Sequence, residues 1–305
     1  MMTPHELRTL GLAVPSAPGR PTYISAASGL VRIASWLYVV ADDEHHLGVF
    51  REGSLSPGSL FRLMEGDLPP DKEDRKKHKP DFEALVRLPP FGDCTHGALL
   101  AVGSGSRDNR RQGVLVRLTD AGALRGAPNP VDLSFILRPH EEVFAAVNIE
   151  GAVVTSAELL LFQRGNKKHS ANAIVRYSLP AFLESLRAEK PPPLVPLTQQ
   201  FFDLGKVNDV PLTFTDAAAL PNGDLLFSAV AEDTDDSYND GLCAGSAIGI
   251  IAANGTLRWI KTLAIPLKIE GVDAHRVGDD LAILAVTDAD DIAVPSKLLS
   301  FTVRA

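Results

Sequence analysis

Acidic residues recur at one kind of place in this 305-residue chain, where a polar segment turns into an apolar run. The segments AASGLVRI, PDFEALVRL, NIEGAVV, FTDAAAL and KIEGVDA align on Ser28, Glu83, Glu150, Asp216 and Glu270, spaced 54 to 67 residues apart. Four carboxylates gathered about one axis would repel if all were ionised. Such a group raises its pKa values, accepts hydrogen bonds from backbone, or binds a cation. An oxygen-only ligand set selects calcium or magnesium over zinc. Glu150, Asp216, Glu270 and the loop residue Asp288 are therefore candidate ligands for Ca2+ or another divalent cation. Glu150, Asp216 and Glu270 are also the candidate catalytic carboxylates if that ion activates water. A second set is basic: Arg107, Arg110 and Arg111 in one loop, Arg164, Lys167 and Lys168 in another. Arginine forks hold phosphate or carboxylate oxygens. Arg107, Arg164 and Lys167, with Glu83, are thus candidate binding residues for a small anionic or phosphorylated ligand. The repetition also has a structural explanation. A carboxylate at a strand start can accept N–H groups of the neighbouring element, and the following Gly29, Gly151 and Gly271 suit close packing.

These residues depend on the elements that carry them. After each aligned position comes an apolar run: LYVVAD (37–42), ALLAVGS (98–104), LLLFQR (159–164), DLLFSAVA (224–231) and LAILAVTD (281–288). Turn residues bound each run, as they bound strands, and the weak alternation indicates strands covered on both faces. Third strands follow at 47–50, 114–118, 173–179, 247–251 and 297–303, and fourth strands at SLFRLM (59–64), VDLSFIL (131–137), QFFDL (200–204) and TLRWIKTLA (256–264). The last unit lacks a fourth strand. The N-terminal ELRTLGLAV (6–14) would supply it by pairing with Lys297–Val303, leaving no open edge. The expected fold is all-β, a five-bladed β-propeller of four-stranded blades forming one domain over 1–305. A six-bladed ring is the alternative, because the 67-residue spacing leaves room for more strands.

Two stretches stand outside the repeat. GDLPPDKEDRKKHKP (66–80) reads as a solvated charged loop. PAFLESLRAEKPPP (180–193) reads as a short helix with proline in its first turn, held by Phe182, Leu183 and Leu186. In a propeller the first strands line the central channel, so the five aligned positions should converge at one mouth. Around that mouth, blades 4, 5 and 1 carry acidic loops, including Asp42, Asp43, Glu232, Asp235, Asp236, Asp240, Asp288 and Asp290, opposite the basic loops of blades 2 and 3. A face polarised by charge is expected.

The segments NIEGAVV…LLLFQRGN and KIEGVDA…LAILAVTD, over 148–179 and 268–303, resemble the repeat of the esterase-like phytase propellers and related bacterial propeller families. KPDFEALV…LLAVGSGSR is a third, partial match, whereas Ser28 and Asp216 stand where a strict repeat would have glutamate. The resemblance implies a propeller and raises divalent-metal-dependent phosphoester hydrolysis as an activity. Propellers serve binding, hydrolysis and scaffolding alike. Three readings follow: binding of a small anionic ligand at the channel mouth, metal-dependent hydrolysis, and a protein-interaction platform.

Composition narrows the partners. With 30 basic and 38 acidic residues the formal charge is −8, opposite to the footprint of a nucleic-acid binder. The 45% hydrophobic content excludes a disordered chain. No apolar run reaches the roughly 18 residues of a membrane helix, and the first residues lack a signal-peptide pattern, so a cytoplasmic protein is expected. Aromatic residues at 6% disfavour a base-stacking platform. Cys94 and Cys243 lie in no CxxC setting and read as small buried hydrophobes. The GSGSR run (103–107) lacks the GK[ST] of a P-loop, and no GxSxG or HExxH motif is present.

Overall fold

The structure, a computed structural model, describes residues 1–166, 168–169, 171–234 and 241–304. Five antiparallel sheets follow one another along the chain as the blades of a five-bladed β-propeller. From the channel outward, blade 1 comprises Ala27–Ile33, Trp36–Ala41, His46–Arg51 and Ser59–Arg62, and blade 2 comprises Phe82–Leu88, Ala98–Gly103, Gln112–Leu118 and Leu124–Asp132. Blade 3 comprises Ile149–Val154, Glu158–Gln163, Asn172–Ser178 and Thr198–Phe202. Blade 4 comprises Val210–Ala219, Leu225–Asp233, Leu242–Ile251 and Leu257–Thr262, with the short strand Lys206–Val207 beside its first. Blade 5 takes Ile269–Val277, Asp280–Thr287 and Lys297–Arg304 from the C-terminal end and His5–Thr9 from the N-terminal end. His5 pairs with Ser300 and Thr9 with Lys297, the closure expected from sequence. No helix among the described residues is long and apolar enough to cross a membrane.

The blades are apolar on both faces because each face meets another blade. In Trp36–Ala41, alternate side chains part company. Leu37, Val39 and Ala41 pack with Val286 and Leu298 of blade 5, whereas Tyr38 and Val40 pack with Phe82 and Leu99 of blade 2. Every interface between successive blades has its own buried cluster of this kind. Each large side chain so buried contributes roughly 1.5–3 kcal/mol.

Two expectations are corrected. VDLSFIL is not a strand: blade 2 ends at Asp132, whose Oδ1 accepts the Ser134 N–H at 2.8 Å and turns the chain into the helix Ser134–Leu137. That turn sends Phe135, Ile136 and Leu137 into the core between blades 2 and 3. The segment 66–80 is not a solvated loop. It contains the helix Lys72–His78, capped by Asp71 Oδ1 accepting the Asp74 N–H at 2.9 Å, with Glu73 and Asp74 near its start and Lys76, Lys77 and His78 near its end. Arg75 is buried and fastens the helix to Asp43 at 3.3 Å and to the Pro70 carbonyl at 2.9 Å. The expected helix after blade 3 is present as Leu179–Ser185, capped by Ser178 and anchored by Phe182.

Candidate functional site

Each innermost strand slips register near its start. One extra residue lies at Ser28, Glu83, Glu150 and Thr215 in blades 1 to 4, and within Glu270–Gly271 in blade 5. Bulges re-aim side chains, and Ser28, Glu83, Glu150 and Glu270 line the channel mouth. Asp216 does not. In blade 4 the bulge residue is Thr215, so Asp216 falls one step on, where the other blades have Gly29, Ala84, Gly151 and Gly271. Space is short at that step: a Cβ on Gly271 would lie 2.7 Å from Leu30 N, and one on Gly29 would lie 2.9 Å from Leu85 N. The Asp216 side chain reaches to blade 5, where Oδ2 accepts the Val272 N–H at 2.9 Å. Burial holds its carboxyl well above the usual range. Asp216 therefore ties two blades together, the structural role weighed for the whole repeat. Among the described residues, Glu83, Glu150 and Glu270 accept no backbone N–H from a neighbouring blade.

Strand alternation supplies the next ring of groups. In blades 2 to 5 the residue two before the bulge also faces the mouth, giving Asp81, Asn148, Thr213 and Lys268. The carbonyls of Asp81, Asn148 and Lys268 accept the N–H of Ser104 at 3.0 Å, Arg164 at 2.8 Å and Asp288 at 3.2 Å as their blades' second strands end, and in blade 1 Asp42 N–H donates to Ala26 O at 3.1 Å. These layers, with Lys76 and Lys79 from the 66–80 segment, enclose a polar well of about 70 Å³, room for a few waters or one small ion. Among its described lining residues, the five cations Lys76, Lys79, Arg110, Arg164 and Lys268 face eight carboxylates: Asp42, Asp81, Glu83, Glu150, Glu232, Glu270, Asp288 and Asp290.

The charges form two groups. In the first, carboxylate oxygens of Asp42, Asp81 and Glu83 all lie within 4.8 Å of one another. Lys79 Nζ bridges Asp42 and, at 2.8 Å, Asp81. Asp81 also accepts from Arg110 at 2.8 Å and from Ser104 Oγ at 2.5 Å. Burial pushes the Asp81 carboxyl up, but Lys79 and Arg110 outweigh it and hold it below the usual range. Burial, reinforced by Glu150, Asp81 and Asp42, keeps Glu83 well above its usual range. In the second group Arg164 donates to Glu150 at 3.1 Å and to Glu232, and lies 3.9 Å from Glu270. Lys268 pairs with Asp290 at 2.6 Å and sits 3.4 Å from Glu270. Asn148 Nδ2 donates to Glu150 at 2.5 Å. Glu270 is 4% exposed, and neither of its oxygens accepts a hydrogen bond. Burial pushes it up to about 8, against the pull of Lys268 and Arg164.

The well thus unites the sequence candidates Glu83, Glu150, Glu270, Asp288 and Arg164. Arg107 is exposed beside the turn Asp108–Arg110 and does not line it. Lys167, Asp235, Asp236 and Asp240 lie outside the described residues. The expected split into an acidic and a basic half gives way to interleaving: Arg110 is buried and Arg164 half-buried, both paired to carboxylates, and Arg111 binds Asp108 and Glu141. Asp81, Lys79, Asn148 and Lys268 were not among the candidates. Three of them could have been found by stepping two residues back from each repeat glutamate. Lys79 has no such signal, since it arrives from outside the blades.

A family model, described as a family of unknown function (DUF6929), matches residues 23–303. No curated protein matches the chain. Among solved structures, an α-L-arabinofuranosidase from Podospora anserina is similar at 12% identity and a TM-score of 0.50, covering 99% of this chain and 96% of that one. A luciferin-regenerating enzyme is similar at 9% identity and a TM-score of 0.45, covering 92% of each chain. The Cps50 (Swd1) β-propeller domain of Myceliophteria thermophila is similar at 12% identity and a TM-score of 0.37, covering 90% of this chain and 71% of that one. At such identities the likeness to the arabinofuranosidase is one of fold alone.

Proposed function

The chain belongs to the DUF6929 family of unknown function, and from the chemistry of its channel mouth we propose that it is a single propeller unit, 1–305, that binds a small hard cation such as Ca2+ or Mg2+. The observation that carries this reading is the convergence of Asp42, Asp81 and Glu83, whose oxygens lie within 4.8 Å of one another. Oxygen-only donors suit these ions. The excess of carboxylates over cations in the lining and the unbonded, buried oxygens of Glu270 support it. An anionic ligand fits less well, because Lys79, Arg110, Arg164 and Lys268 already hold carboxylates. Asp42, Asp81 and Glu83 would hold the ion, and when bound it would supply positive charge that polarises an oxygen or a water.

Hydrolysis of a phosphoester is the second reading. Arg110, Arg164 and Lys268 in the same well as the carboxylates favour it, as does the resemblance of the IEG repeats to the phytase propellers. Glu150 and Glu270, both pushed upward by burial, are its proton-carrying groups.

The test is thermal unfolding with and without divalent cation. Calcium at a hundred times its dissociation constant should stabilise the fold by ~2.7 kcal/mol, a rise of several degrees. The double variant Asp42→Asn, Glu83→Gln should lose the rise, whereas Asp216→Asn, outside the well, should keep it. Melting curves unmoved by calcium, magnesium, manganese or chelator sink the cation reading. Release of phosphate from a generic phosphomonoester, dependent on the same ion, would separate the second reading from the first.

A further inference from the structure

Lys79 is the only side chain of the 66–80 segment, among the described residues, that joins two of the converging carboxylates. Its Nζ contacts Asp42 and, at 2.8 Å, Asp81 Oδ1, and the residue is 9% exposed. The main chain at this point is fixed. Lys79 N–H donates to Arg75 O at 2.8 Å, and the helix before it is tied down by Arg75 to Asp43 and by Arg110 to the Lys76 carbonyl at 3.0 Å. The side chain is a four-carbon stem with a compact charge at its tip. Next to the well lies a second chamber of about 340 Å³, which shares Asp42, Lys76, Lys79, Asp288 and Asp290 with it and is lined further by Asp43, Asp291, Lys72 and Arg75. Lys79 therefore lines both of two adjoining spaces, each with carboxylates and cations in its wall.

We propose that Lys79 is a tethered counter-cation: its ammonium occupies the Asp42–Asp81 position in the absence of a metal ion and swings into the adjoining chamber when a divalent cation takes that position. The inference rests on the cation reading above. Two positive charges within about 4 Å repel strongly in a partly buried site, so ammonium and metal cannot share the same carboxylate oxygens. The move does not strand the ammonium. Asp288 borders both spaces and Asp291 lines the second, carboxylates that can take the ammonium beside the cations Lys72, Arg75 and Lys76. A built-in competitor of this kind keeps Asp42 and Asp81 neutralised without metal and raises the concentration at which metal binds.

Isothermal titration of the full chain with calcium chloride alone tests this. Lys79→Met keeps the apolar stem and removes the charge, and should bind calcium at least tenfold more tightly than the natural chain. Lys79→Arg keeps a charge and should bind no more tightly. Calcium binding to the natural chain with equal or weaker binding to Lys79→Met overturns this inference and leaves the cation reading intact. Failure of both proteins to bind calcium overturns both. Because Lys79→Met takes a partner from Asp42 and Asp81, a second measurement uses the natural chain and needs no variant. Amine-selective labelling read by mass spectrometry should rise at least threefold at Lys79, relative to the surface Lys206, when calcium is added. Unchanged or reduced labelling overturns the displacement.

Discussion

Lys79 and Arg164 hold the two groups of the well by the same device, one largely covered cation among carboxylates from different blades. Breaking such a pair from one side leaves an uncompensated buried charge and is costlier than never building it. Elsewhere a titratable group is buried without any charge partner. His140 is 1% exposed, its Nε2 lies 2.6 Å from Tyr177 Oη, and burial pushes its pKa down to about 4. Unfolded, it takes a proton near its ordinary value of about 6.5. Between those values the unfolded chain binds more protons, so stability falls as pH drops from 6.5 toward 4. Urea unfolding at pH 7 and pH 5 should differ by about 2 kcal/mol from this residue. His140→Gln should remove that part of the slope, and an unchanged slope in the variant would refute the assignment.

At the scale of elements, the innermost strands decide how close the blades come. Ala84 is accepted at the step after the bulge, but Gly271 faces backbone: an added Cβ would meet Leu30 N at 2.7 Å and Gly29 C at 2.9 Å. Gly271→Ala must part blades 5 and 1 and should cost about 1–3 kcal/mol in chemical denaturation, as overpacking does. A cost near zero would mean that the ring yields more easily than its contacts imply. The repeat glutamates 83, 150 and 270, and the glycines after the last two, could be read directly, because the bulge recurs in blade after blade. Blade 4 departs by one residue because its bulge carries Thr215, so the aligned acid, Asp216, stands on the wrong rung. Charge dominates the composition of the helix Lys72–His78 and gives it the look of a loop, yet Asp71 as a cap and the order of acidic then basic residues are helix signals.

At the scale of the whole molecule, the ring holds because its two ends share a blade. The strand His5–Thr9 is mostly exposed and buries little itself, but Met2 packs among Leu263, Val272 and Phe301, and its N–H donates to Thr262 O at 2.8 Å. Removing residues 1–9 would strip the edge of Lys297–Arg304 and open a pairing surface. The melting temperature should drop by roughly 5–10 °C, for a loss of ~3 kcal/mol, and light scattering should show self-association. A truncated chain that melts and sediments like the full one would show that the closure is dispensable.

The linear order of residues by itself favoured five blades over six and determined the closure of the ring and the recurrence of carboxylates at strand starts. These depend on local periodicity and on which faces must be apolar. Only the tertiary structure decided which of those carboxylates share a well. Convergence depends on bulge register and on side chains brought from other parts of the chain: Asp81 two residues before its glutamate, Lys79 on a segment between blades, Asp42 at the exit of a different blade. A one-residue slip turns a side chain from the mouth to a neighbouring blade, and charge counted along the chain does not reveal which positive group already holds which negative one.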